Sequence, residues 1–367
     1  MDVDKRLKSL DACRGFDMMF IMGFSSVIVA ICNLFPNGDS CWLATQMSHV
    51  DWDGLRHQDT IFPLFLFLAG VSFPFSYAKQ LANDKSRGQV YGKIFYRALM
   101  LVFLGLVYNG LFQLQFPMRC ASVLGRIGLA WMFAALLFIN FKPKARAAIA
   151  VAILVGYYLL LKFVPAPDVP GAQPFTFEGN LVGFVDRCIL PGKFYEGTFD
   201  PEGILSCLPA IVTAMLGMFT GELVRKPEEE YSGNSKTVRL LAAAAAMLVI
   251  GLVWSLDFPI NKKLWSSSFV LVVGSYSVAV FAIFYWIIDV KGWDKWITFF
   301  TVIGMNSITI YLAQGIIDFD GIGRFFFGGL AGLCSEQWAA VILTAGSFFV
   351  SWLFLYFLYK KKVFLKV

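Results

Sequence analysis

Long apolar runs alternate with short polar punctuation along this chain, and that rhythm governs the rest of its organisation. Runs of about 18–25 residues, enough to cross about 30 Å of hydrocarbon, recur from one end to the other. They predict ten helical spans, at roughly 16–35, 60–80, 94–113, 121–140, 146–164, 203–224, 238–256, 266–288, 297–316 and 338–359. No polar stretch exceeds roughly forty residues, less than an independent domain needs. The pattern therefore predicts an all-α integral membrane protein. Residues 1–367 form one domain, with about ten transmembrane helices around an internal polar cavity.

Charge orients the spans. Lys5, Arg6, Lys8 and Arg14 precede or open the first one. The connection 79–97 adds Lys79, Lys85, Arg87, Lys93 and Arg97, and 141–147 adds Lys142, Lys144 and Arg146. Residues 225–239 contribute Arg225, Lys226, Lys236 and Arg239; 289–296 contribute Lys291 and Lys295; the tail contributes Lys360, Lys361, Lys362 and Lys366. One side thus holds 22 of the 31 lysines and arginines. The positive-inside rule puts both termini and every even-numbered connection in the cytoplasm.

The outside connections follow. They are 36–59, a short one at Gln115–Arg119, the Pro- and Gly-rich 165–202, one with Asp257, Lys262 and Lys263, and 317–337 with Asp318, Asp320, Arg324 and Glu336. Loops this long usually have a function, and 317–337 is read as holding a short interfacial helix. Tryptophans 42, 52, 265 and 338 suit an outer aromatic belt, with Trp293 and Trp296 on the inner side. No internal repeat of the transporter kind is visible.

Composition agrees: 58% hydrophobic, 15% charged, 38 Phe and a mean hydropathy of +0.66, against about 25% charged in soluble domains. The opening MDVDKRLKSLDACRG lacks a small-residue cleavage site, so the first helix is read as retained. Seven cysteines show no CxxC or Cys/His spacing, so no metal is expected; one disulfide near the outer face is left open. The net charge of +6 is explained by topology and calls for no nucleic acid.

Charges at membrane depth cost at least about 2.5–3.5 kcal/mol and usually mark a cavity or pathway. Asp17 stands one turn after Arg14, so an intrahelical ion pair accounts for it as readily as a function does. Arg126 has no local acid and needs a distant partner or a bound anion. Asp59, before Thr60 and Pro63, suits a helix start. The Asp-Pro-Glu-Gly of 200–203 suits an N-terminal cap. Asn306 lies among small residues fit for close helix packing.

The densest chemistry is at 48–63, SHVDWDGLRHQDTIFP, which holds both histidines of the chain. His49 can take a proton from an amine or hydroxyl or attack an acyl donor itself, with Asp51 or Asp53 to orient it. His57, between Arg56 and Gln58, reads as a boundary residue. There is no Gly-rich phosphate loop and no G-x-S-x-G elbow.

Several ordered stretches carry a resemblance over nearly the whole chain. RLKSLDACRGFDMM at 6–19, SHVDWDGLRHQDTIFPLFLFLAGVS at 48–72, GFVDRCILPGKFYEGTFDPEGILSCLPAIVTAMLG at 183–217, INKKLWSSSFVL at 260–271 and GMNSITIYL at 304–312 are similar to the lysosomal heparan-α-glucosaminide N-acetyltransferase family and its bacterial relatives. The resemblance implies acetyl-CoA from the cytoplasm and the amine of a terminal glucosamine on the far side as acceptor. His49 falls on the family's catalytic histidine, with Trp52 and Asp59 in its motif. Arg14 and Arg126 lie in matched segments and are assigned to the anionic CoA moiety. Ser25 or Ser26 stands where many members carry Asn, and Ser25 is grouped with Asn306 on the donor side. Asp51, Trp52, Asp186, Arg187, Asp200 and Glu202 are grouped on the acceptor side.

These readings converge on a bacterial inner-membrane acetyltransferase in which His49 is general base or acetyl carrier, acting on an amino sugar or its oligosaccharide. A homodimer is compatible with them. O-acetylation of a glycan hydroxyl and a sugar transporter or channel are the competing readings.

Overall fold

The computed structural model describes residues 7–113 and 117–365; Lys5, Arg6, Gln115 and Lys366 lie outside them. Nine helices among the described residues are long and apolar enough to cross a membrane. With the shorter ones between them, the order is α1 Lys8–Cys32, α2 Trp42–Gln46, α3 His57–Ala82, α4 Arg87–Tyr108, α5 Val123–Asn140, α6 Pro143–Phe163, α7 Leu181–Ile189, α8 Cys207–Arg225, α9 Gly233–Trp254, α10 Ser267–Val290, α11 Thr298–Gly304, α12 Ser307–Ala313, α13 Phe319–Ala331 and α14 Glu336–Lys360. The protein is an all-α, multi-pass membrane protein. A lone antiparallel bridge, Arg119 with Gly192, is the only β pairing among the described residues.

Local chemistry sets many helix starts. Ser86, Ser122, Ser232 and Ser266 each accept a hydrogen bond from the amide three residues on, the arrangement that satisfies orphan first-turn amides. Pro143 opens α6, where its missing N–H costs nothing. The Asp-Pro-Glu-Gly stretch does not cap α8, which starts at Cys207 after Ser206; Asp200 is engaged elsewhere.

Two spans differ from the hydrophobic pattern. The first helix starts at Lys8, because polar residues that looked like lead-in find partners there. Lys8 pairs with Asp294, and the Ser9 amide donates to Asp289. Farther along, Phe20–Phe24 is wound as a π turn with Gly23 at φ 118°. The expected span 297–316 is broken into α11 and α12. At the break Asn306 is buried with φ −121°, and its Nδ2 donates back to Val302 O at 3.3 Å. Hydropathy sees one apolar segment where the backbone makes two.

The centre is α3 against α8. A Cβ on Gly70 would lie 2.2 Å from the Ala214 carbonyl oxygen, and one on Gly217 2.0 Å from that of Phe67. Only glycine allows these backbones to meet, which is how membrane helices gain packing without a hydrophobic drive. Trp265 belongs to this interior at 1% exposure, its Nε1 donating to Thr213. It is a core residue, not part of an outer belt. The short helix expected in 317–337 is α13. All seven cysteines are free thiols, with those of Cys32 and Cys41 in hydrogen-bond contact.

The long loops of one end are tied to each other. Gly54 N donates to Ile260 O at 2.8 Å, Asn261 Nδ2 to Asp53 at 3.0 Å, and Trp52 Nε1 to Phe175 O at 2.9 Å. These ties make a cap over the mouth of an internal cavity.

Candidate active site

The start of α3 builds the site. Arg56 is extended (φ −121°, ψ 163°), and Asp59, three residues on, reaches back to accept its amide at 3.2 Å. The same Oδ2 accepts from Val50 N at 3.3 Å. Arg56 in turn donates through Nη1 to Ser48 Oγ at 2.6 Å and to His49 O at 2.8 Å. The loop 48–56 is thereby folded onto the helix end, and His49 Nδ1 comes to 2.7 Å from Asp59 Oδ1. Asp59 is 2% exposed and the His49 side chain 56%. The acid is thus both a helix cap and the partner of the histidine.

Lys262 completes the cluster from the loop before α10. Its Nζ lies 3.0 Å from His49 Nδ1 and 3.4 Å from Asp59 Oδ1. Burial pushes its ammonium pKa down, although the Asp59 carboxylate pulls the other way. The nearer contact, to Asp59, assigns the proton to Nδ1, which donates to the carboxylate and leaves the Nε2 lone pair for chemistry. That is the arrangement of an oriented general base.

These groups line a cavity of about 700 Å³, within the size range of small-molecule sites. Asp51 and Trp52 line it, as do Ser25, Ser26 and Glu202. Trp52 is fixed edge-on to Phe177 and Phe199. Ser25 Oγ donates to Gln58 Oε1 at 3.0 Å, just beyond the Gly23 kink. Arg126, 2% exposed, also lines it. Its guanidinium lies 5.0 Å over the Trp265 ring, and Nη2 donates to Gly203 O at 3.2 Å and to Ser206 Oγ. Nε and Nη1 are buried with no hydrogen-bond partner among the described residues. A buried donor left unpaired costs about 1–3 kcal/mol, more when charged, so these two atoms are suited to an acceptor in the cavity.

At the cavity wall, Arg119 holds the 195–206 turn. Its Nε and Nη2 donate to Asp200 at 2.7 and 2.6 Å, and it also pairs with Glu202. Burial alone would raise the Asp200 carboxyl; Arg119 outweighs it and holds the group below its ordinary pKa, while Arg119 itself is raised. Asp186, fully buried, accepts the amides of Asp200 and Ile204 at 3.2 and 3.0 Å, and burial pushes its pKa up to about 6. Arg187 clamps Asp168 and the Thr198 carbonyl. Of this group Arg119 and Glu202 line the cavity; Asp186, Arg187 and Asp200 shape the turn that presents Gly203 and Ser206 to Arg126.

The remaining assignments separate. Arg14 is 4.0 Å from Asp11 and does not line this cavity, and both carboxylate oxygens of Asp17 are buried with no hydrogen-bond partner among the described residues. Asn306 is buried at the α11–α12 break, away from the cavity lining. His57 packs 4.4 Å from Phe20, with Nε2 3.3 Å from Tyr276 Oη. Lys262 and Arg119 were missed because charges in outer loops look alike in sequence; the one signal for Lys262 was its place in the INKKLW stretch.

Residues 6–256 match the family model described as the catalytic region of heparan-alpha-glucosaminide N-acetyltransferase. The chain belongs to that family. The human protein named heparan-alpha-glucosaminide N-acetyltransferase (Homo sapiens) is 26% identical over 423 aligned positions, covering 99% of this chain and 60% of its own length. The mouse protein of the same name (Mus musculus) is 26% identical over 374 positions, covering 85% of this chain and 54% of its own. The chain thus spans little more than half the length of these relatives. Within the acetyltransferase family match lie His49, Asp59 and Arg126; Lys262 and Asn306 lie beyond it.

Proposed function

We propose that this protein transfers an acetyl group from cytoplasmic acetyl-CoA to the amine of a glucosamine-type amino sugar on the other face of a bacterial inner membrane. The observation that carries the reading is the buried Asp59 holding His49 at 2.7 Å beside a cavity of about 700 Å³. His49 Nε2 removes a proton from the acceptor amine as its nitrogen attacks the thioester carbon. The C–N bond forms and the C–S bond breaks. The CoA thiolate then takes the proton back from the imidazolium, whose charge Asp59 balances throughout.

The orphan donors of Arg126 suit an anionic group of the donor or the developing oxyanion. At the start of α1 a separate cavity, also of about 700 Å³, is lined by Lys8, Lys295, Lys360 and Lys362 against Asp11 and Asp294, a net positive charge that suits polyphosphate. Lysine-rich connections at that end support donor access from the cytoplasm, with both termini on that side. In a two-step form Nε2 is itself acetylated and passes the group on. A labelled acetyl group trapped on His49 without acceptor assigns that route, and its absence from active enzyme assigns direct transfer.

The test is CoA-thiol release by purified protein given acetyl-CoA and a panel of amino sugars and hydroxyl-only glycans. Turnover with the amines, lost in His49→Ala, is the expected result. Turnover with hydroxyl acceptors alone moves the reading to O-acetylation. Sugar uptake into proteoliposomes without acetyl-CoA consumption, unchanged by His49→Ala, overturns it in favour of a transporter.

A further inference from the structure

A second chamber, of about 530 Å³, opens on the opposite side of the α1 kink between α1, α13 and α14. Its lining includes Ser26, Gln314, Asp318, Asp320, Arg324 and Thr344. The two chambers share Ile21, Gly23 and Ser26, so the kinked segment borders both. That backbone is held open. Gly23 takes a left-handed conformation (φ 118°) that L side chains rarely adopt, and a Cβ there would meet nothing within 4 Å. Gln314 Nε2 donates to the Ile21 carbonyl at 3.3 Å, inside the π turn.

The chemistry of the lining narrows the ligand. Two carboxylates and one guanidinium carry no excess of positive charge, which disfavours phosphate. Asp318 is committed to capping α13 through Gly321 N at 2.8 Å. Asp320 and Arg324 make no ion pair among the described residues, and hydroxyls and an amide side chain lie around them, with the Phe348 ring as an apolar wall. Polar groups that both donate and accept, beside an aromatic face, suit a neutral polyol. The volume falls within the range of small-molecule sites, about 300–1,000 Å³, and exceeds what one sugar ring needs.

We propose that this chamber binds the sugar residues that follow the acetylated one in an oligosaccharide acceptor. The terminal amino sugar then sits at His49, and the chain passes over Gly23. The assignment rests on the acetyltransferase reading for its acceptor, but not for its geometry.

The experiment compares glucosamine with a glucosamine-terminated trisaccharide in the full-length wild type, Arg324→Ala and Thr344→Phe. The wild type prefers the trisaccharide in kcat/KM by about tenfold, worth about 1.4 kcal/mol, and both variants lose the preference while turning over glucosamine unchanged. A preference kept in both variants, as for a lipid-filled chamber, or an equal loss on both acceptors overturns the proposal. Calorimetric binding of the N-acetylated trisaccharide provides a readout without chemistry. Binding weakened about tenfold in Arg324→Ala supports the site even if no turnover is found, a result that would remove only the acetyltransferase reading. No binding, or equal binding in both proteins, removes the site.

Discussion

His49 and His57 flank one helix start, yet the two sides of that start do different work. On one side the imidazole is half exposed, aligned by a buried carboxylate with a lysine close by, and faces a cavity lined by four loops. On the other it is packed on Phe20 and touches Tyr276, with Nδ1 buried and without a partner among the described residues. Both residues lie in the same polar stretch, so closeness in sequence does not separate them. What separates them is access, and the presence of a partner that fixes which nitrogen carries the proton.

The sharpest way to break this contrast is to exchange the losses. His49→Ala lowers CoA release by about 100- to 10,000-fold, the usual share of a general base, whereas His57→Phe keeps the ring packing and leaves the rate within one order of magnitude. Equal losses in the two variants would abolish the distinction. Asp59→Asn keeps the shape but accepts poorly from both Nδ1 and the helix amides. It lowers turnover by about 100-fold and, through the cap, stability by about 1 kcal/mol, read in one preparation by kinetics and thermal unfolding.

Arg126→Ala acts on the same side but at the other reactant. Charge-assisted hydrogen bonds are worth about 1.5–3 kcal/mol, so the KM for acetyl-CoA rises by roughly 10- to 100-fold while that for the acceptor moves little; the reverse split would reassign the residue. The smallest effect concerns the turn behind it. The Asp186 carboxyl, raised to about 6, keeps in the folded state a proton that the unfolded chain loses near pH 4. The stability this contributes is complete below pH 4 and lost as pH rises through 6, about 3 kcal/mol in all. Wild type should therefore lose its margin over Asp186→Asn between pH 4 and 7 in thermal unfolding; a margin independent of pH would count against it.

Much of this was readable from the chain, and the failures have physical causes. Apolar runs locate the nine continuous spans because the bilayer demands length. They miss the break at Asn306, since hydropathy averages over a backbone bend. Trp265 looked like a belt residue because its loop position hid the fold-back that buries it. His49 and Asp59 were legible because they share one local motif. Arg119, Lys262 and the orphan donors of Arg126 were not, because their meaning depends on loops brought together from distant parts of the sequence.

The double duty of Asp59 has a dynamic consequence. Helix ends fray before helix middles do, and here the first turn of α3 and the aligned imidazole depend on one carboxylate. Any thermal opening of that turn disarms the histidine at the same moment, and reclosing rearms it. Catalytic competence then works as a gauge of local order at one helix end, and it should fade on heating before the bundle as a whole melts.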